Sequence, residues 1–110
     1  MKGFQQTLKT KITIAGQALH SGKMVSVSLI PQPVDTGILF SRSDLPGKPV
    51  IAAKPGNVVD TVKNMTLGTK EWRIQTIEHL MAALHGLRVD NILIEVDGSE
   101  LPLGDGSARY

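Results

Sequence analysis

The sequence predicts an α+β domain in which a mostly antiparallel sheet packs against one principal helix. Three observations carry this expectation. Residues 24–30 alternate strictly, with Val25, Val27 and Leu29 facing one way and Ser26 and Ser28 the other, the pattern of a half-buried antiparallel strand. Several short apolar segments of similar kind are separated by Pro, Gly and Asp. One stretch alone, TIEHLMAALHGL at residues 76–87, repeats its apolar side chains (Ile77, Leu80, Met81, Leu84 and Leu87) at helical spacing.

In chain order, residues 10–15 alternate around Ile12 and Ile14 and predict the first strand. A polar connection, QALHSGK, holds His20 and Gly22 and leads into the strand at 24–30. PQPVDTG is a turn, and residues 37–42 predict a third strand that joins the second in a hairpin-like unit. SDLPGKP is a loop. Residues 50–53 and 58–61 are short apolar segments divided by Pro55 and Gly56, and NMTLGTKEWRI predicts a small hairpin turning at Gly68 and Thr69. Thr76 is placed to cap the helix, because its hydroxyl can accept from an orphan N–H, and Gly86 is placed to end it. Residues 91–96 form the last strand, whose run of Ile92, Leu93 and Ile94 predicts burial on both faces. Asp105-Gly106 reads as a turn, and Ser107 as the N-cap of a further helix.

A chain of 110 residues with 41% hydrophobic side chains fits a single domain, residues 1–110, with a real core. No apolar run approaches the roughly 20 residues of a membrane span, and the N-terminus has no apolar segment of the signal-peptide kind. The absence of cysteine excludes disulfides and thiolate metal ligands and fits a cytoplasmic protein. Net charge is only +2, but residues 1–73 hold ten Lys/Arg against four Asp/Glu, whereas residues 74–110 hold two against six. This asymmetry allows either ordinary surface scatter or a basic face for a phosphate or a phospholipid headgroup. Nucleic acid is not an expected partner, since aromatics are 4% and no basic run or recognition motif is present.

Glu78 and His79 stand side by side in the first turn of the predicted helix. Adjacent helical residues lie about 100° apart, so both cannot occupy the centre of the apolar stripe. One turn on stand Ala82 and Ala83, which leave open space or allow another element to approach closely. Two readings stand. In the plainer one, which the residues alone favour, the carboxylate answers the helix dipole and the imidazole is partly buried. In the chemical one, the imidazole is a metal ligand beside a carboxylate that takes a proton from water. A catalytic zinc site needs three protein ligands, and the three histidines, His20, His79 and His85, show no HExxH spacing. His85 lies six residues after His79, nearly opposite on a straight helix, and reads as a polar residue near a helix C-terminus.

LHSGK at residues 19–23, VVDT at 58–61, TIEHLMAALHGL, DNILIEVDGSELP and DGS at 105–107 together resemble one family, in that family's order. It is the UDP-3-O-acyl-N-acetylglucosamine deacetylases, zinc enzymes of lipid A biosynthesis in Gram-negative bacteria. The resemblance spans nearly the whole chain and implies the fold of the first domain of this two-domain enzyme. It implies that Glu78 is the catalytic general base, acting on a water held by zinc that attacks the acetamide carbonyl. It also implies that His79 is a zinc ligand and that His20 lies near the site. Thr61, with residues 62–65 including Val62 and Met65, would lie beside the acyl chain of the substrate, an acylated UDP-N-acetylglucosamine. The family's remaining zinc ligands, the histidine proposed as general acid, an oxyanion-supporting threonine and a nucleotide-contacting lysine belong to its second domain. They are expected to lie outside this chain.

Three functions follow. The leading one is the first domain of such a deacetylase, carrying the general base and one zinc ligand, and silent alone because one ligand cannot make a tight zinc site. Its partners would be the second domain or another copy of itself. The alternative is a stand-alone binding or regulatory module that kept the fold without catalysis. The third is a small metal-dependent hydrolase assembled from two copies through His20 and His79.

Overall fold

The structure is a computed structural model that describes residues 5–18, 21–60, 66–69 and 71–102. Its strands are β1 (Ile12–Gln17), β2 (Met24–Pro31), β3 (Ile38–Arg42), β4 (Val50–Ala52), β5 (Val58–Asp60), β6 (Thr66–Gly68), β7 (Arg73–Ile74) and β8 (Ile92–Val96). The helix α1 spans Glu78–Gly86, and a short 3-10 turn occupies Pro55–Asn57. A five-stranded sheet has the order β1-β2-β8-β3-β4, and a three-stranded sheet the order β5-β6-β7. Among the pairings of these strands β3–β8 is parallel and the others are antiparallel, so the sheets are mostly antiparallel, as expected.

The alternation in β2 orients the large sheet. Val25 and Val27 are buried while Ser26 is exposed. At the edge, Thr13 of β1 and Ser28 of β2 sit directly opposite, their hydroxyls 3.1 Å apart, a polar cross-strand pair. β8 fills the centre. Its Ile92, Ile94 and Val96 are fully buried, and Leu93 and Glu95 between them are half-buried. The second face of β8 is thus only partly covered, a correction to the expected burial on both faces.

β8 also corrects the expected hairpin of the second and third strands. It lies between β2 and β3, pairing antiparallel with the first and parallel with the second. In this register Val27 faces Val96, and Phe40 lies beside Ile94, so the most apolar segment of the chain takes the most protected position. The β6–β7 hairpin forms, but Gly68 is not in its turn: it is the last residue of β6, paired with Arg73. The connection begins at Thr69, whose N–H donates to the Trp72 carbonyl and whose hydroxyl accepts from the N–H of Glu71 and of Trp72.

Ile77 and Leu84 join the same apolar core as the strands, with Leu80 and Met81 half-buried against it. Leu87, the last member of the predicted stripe, is 64% exposed because it lies beyond the final helical turn. Both helix ends depart from expectation. Ile77, not Thr76, is the N-cap residue, and it makes no side-chain cap. Gly86 is the last helical residue, and the left-handed residue that ends the helix is Arg88, at φ 57°. Arg88 N–H donates to the His85 carbonyl and Val89 N–H to that of Leu84, the paired bonds of a Schellman motif.

Candidate functional site

The helix start is where the candidate chemistry collects. Glu78 is the first residue of α1 and His79 the second. Glu78 is half-buried, whereas His79 is exposed rather than partly buried. One turn further on, Ala82 is exposed and Ala83 half-buried, so no bulky side chain from the next turn stands over the pair. A carboxylate in the first turn also meets the positive end of the helix dipole. His85 is exposed in the last turn, where the dipole favours a cation, in keeping with its reading as a helix-end residue.

The chain enters α1 through an unusual conformation. Thr76 is buried and held at φ 63°, a left-handed value that is a genuine outlier for a β-branched residue. Its hydroxyl does not cap the helix. It donates instead to Glu100 Oε2 at 3.4 Å, a long bond to a charged acceptor. The other carboxylate oxygen, Glu100 Oε1, accepts the N–H of Ser21 at 3.2 Å. Glu100 is 2% exposed, and the backbone on either side of it grips Gln75: Gln75 N–H donates to the Ser99 carbonyl, and Leu101 N–H to that of Gln75. Further along, Ala18 bridges Pro102. The segment at 99–102 therefore binds both the strand end before His20 and the entry to α1.

Sequence reasoning missed Glu100. No spacing relates position 100 to position 76. A carboxylate amid apolar Leu101 and Leu103 was the available signal, since a buried acid must have partners. Of the residues that the sequence singles out, the structure places Glu78 and His79 together at one helix end. His20, Thr61, Val62 and Met65 lie outside the described residues.

The exposed imidazole of His79 could supply one ligand, but no group of three or more His, Cys, Asp or Glu among the described residues could hold a metal ion. A closed zinc site does not fit these residues alone.

The family model of the UDP-3-O-acyl N-acetylglycosamine deacetylases matches residues 5–110. The chain belongs to this family. Relatives named UDP-3-O-acyl-N-acetylglucosamine deacetylase agree with it. That of Bdellovibrio bacteriovorus is 44% identical over 105 residues, covering 96% of this chain and 35% of the relative. That of Acidithiobacillus ferrooxidans is 50% identical over 104 residues, covering 94% and 34%. That of Psychrobacter cryohalolentis is 48% identical over 104 residues, covering 94% and 32%. The chain thus spans about a third of the length of the curated relatives it matches. No helix among the described residues is long and apolar enough to cross a membrane.

Proposed function

We propose that this chain forms the first of two domains of a zinc-dependent deacetylase acting on an acylated UDP-N-acetylglucosamine, in the cytoplasm and in lipid A biosynthesis. The observation that carries the reading is the pairing of half-buried Glu78 with exposed His79 at one helix start, within a family match that runs from residue 5 to residue 110.

In this reading Glu78 is the general base. Its carboxylate takes a proton from the water that attacks the acetamide carbon, and as the C–N bond breaks a proton passes to the leaving nitrogen, giving acetate and the free amine. His79, one residue on, presents its imidazole outward, as a ligand shared with a second domain requires. Zinc would supply Lewis acidity at the carbonyl, with its further ligands contributed from outside the described residues. His20 stands near the reacting group, and Thr61, Val62 and Met65 line the path of the acyl chain.

Two measurements test this. The isolated chain with zinc should not hydrolyse the acetamide and, under competition from a mild chelator, should bind zinc no more tightly than a surface histidine does. Completed by a family second domain, it should turn over in a zinc-dependent manner, and Glu78→Ala should lower kcat by about 10²-fold or more. Full activity in the completed Glu78→Ala enzyme would overturn the assignment of the base. Zinc-dependent turnover by the isolated chain, lost in His79→Ala, would instead establish a site assembled between copies.

A further inference from the structure

We infer that Glu100 is a positioning residue that sets the Glu78–His79 helix start and ties it to the backbone at Ser21, the residue that follows His20 in the sequence. The inference rests on the proposed function for its catalytic consequence, though its conformational part stands apart from that reading.

Four observations converge on this carboxylate. Glu100 is almost fully buried, yet its two oxygens accept from different parts of the chain: Oε1 from Ser21 N–H, and Oε2 from the Thr76 hydroxyl. Ser21 directly follows His20 in the sequence, and Thr76 stands two residues before Glu78. Thr76 is held left-handed, a conformation that a β-branched residue keeps only where its surroundings impose it. Those surroundings are specific: Gln75 is clamped through both its backbone N–H and its carbonyl by residues 99–101, and the Thr76 hydroxyl donates to Glu100 Oε2 over a long 3.4 Å.

The consequence is geometric. A change of φ at Thr76 swings everything after it, including the direction in which α1 begins. The hydroxyl bond to Glu100 resists that change, and the same carboxylate holds the Ser21 backbone. One buried side chain therefore registers two candidate site segments that lie more than fifty residues apart in the sequence. Buried carboxylates are costly without such partners, and a purely apolar side chain would satisfy neither donor. Glu100 touches no reacting atom in this scheme and acts through Thr76 and Ser21.

The test uses Glu100→Gln, Glu100→Ala, Thr76→Gly and the double variant Glu100→Ala/Thr76→Gly. Glycine takes a positive φ without strain, so it supplies the backbone conformation that Glu100 otherwise enforces. In the 110-residue chain, Glu100→Ala should speed amide hydrogen exchange at Ser21 and at residues 76–79 and should shift the His79 imidazole resonances. Glu100→Gln, which keeps the size and one acceptor, should move both readouts less. In the chain completed by a second domain, Glu100→Ala should lower kcat by about 10-fold or more with KM within about 2-fold. Adding Thr76→Gly should recover part of kcat and of the resonance shift, which a merely stabilising role would not produce.

Unchanged exchange at Ser21 and Thr76 in Glu100→Ala would overturn the inference, as would a kcat loss that Thr76→Gly leaves untouched. If Glu100→Ala unfolds the chain, the same comparison is made with Glu100→Gln. The exchange and resonance readouts do not depend on activity. Loss of the proposed base role at Glu78 and loss of this inference are therefore separate results.

Discussion

At the scale of single residues, the tightest backbone constraint is set by close approach within the small sheet. Gly68 ends β6 opposite Arg73, and a Cβ placed there would lie 2.7 Å from the Arg73 Cβ and 2.8 Å from the Trp72 carbonyl oxygen. Neither atom is the far end of a flexible side chain, so the hairpin itself would have to shift. Gly68→Ala should therefore destabilise the fold by about 1–3 kcal/mol, read as a lower urea midpoint at unchanged slope. The same scale shows what was legible in the sequence. Glu78 and His79 stood out because an acid and an imidazole sit side by side in the first turn, flanking the apolar stripe, although their spacing alone favours a plain helix start. Thr76 was misread because threonine before a helix is a good cap, and only the fold shows the buried acid that claims its hydroxyl. Glu100 was silent for the converse reason: its meaning lies in two partners remote in sequence.

At the scale of elements, periodic patterns were read well and their ends were not. The alternation of β2, the β6–β7 hairpin and the helix are all present, since each is dictated by local spacing. The neighbour of β3 was misassigned because hairpins are the default for consecutive strands. The competing strand, β8, lies some fifty residues downstream, where no local signal reports it. Helix termination shows the same limit. Gly86 is the residue type expected to stop a helix, yet Arg88 adopts the left-handed conformation because the paired bonds from Arg88 and Val89 close the last turn there. Buried Val89 and Leu84 supply the apolar contact that accompanies such a motif. Arg88 is exposed, so its side chain can be removed without opening the core. Arg88→Gly relieves the left-handed strain at the cost of a more flexible unfolded chain, and should stabilise by about 0.5–1 kcal/mol. A rise in melting temperature with unchanged helical circular dichroism would check it. A fall would mean that the arginine side chain contributes more than its backbone costs.

At the scale of the molecule, a buried arginine joins the two sheets. Arg42, at the end of β3, is largely buried and donates from Nη1 to the Arg73 carbonyl of β7, joining the large sheet to the small one. Its Nε and Nη2 donate to the two oxygens of Asp44 at 2.8 Å and 2.7 Å, a fork that holds the guanidinium in place for the contact with β7. Those hydrogen bonds from Arg42, aided by its charge, hold the Asp44 carboxyl below its ordinary range, against an opposing push from burial. The sign follows from the direction of that shift. A carboxyl whose folded value is depressed contributes stability above its unfolded value, near pH 4, and loses that contribution as pH falls through the folded value. Asp44→Asn should therefore be less stable than the parent chain at pH 6, and the gap should close as the pH is lowered through about 4 to below 3. Arg42→Lys should show a similar loss at pH 6, because an ammonium cannot reach both carboxylate oxygens and the Arg73 carbonyl as a planar fork does. Thermal melts of the three proteins across this range decide the matter. A gap between parent and Asp44→Asn that stays constant with pH would show that the carboxylate charge at Asp44 does not hold Arg42 against the small sheet.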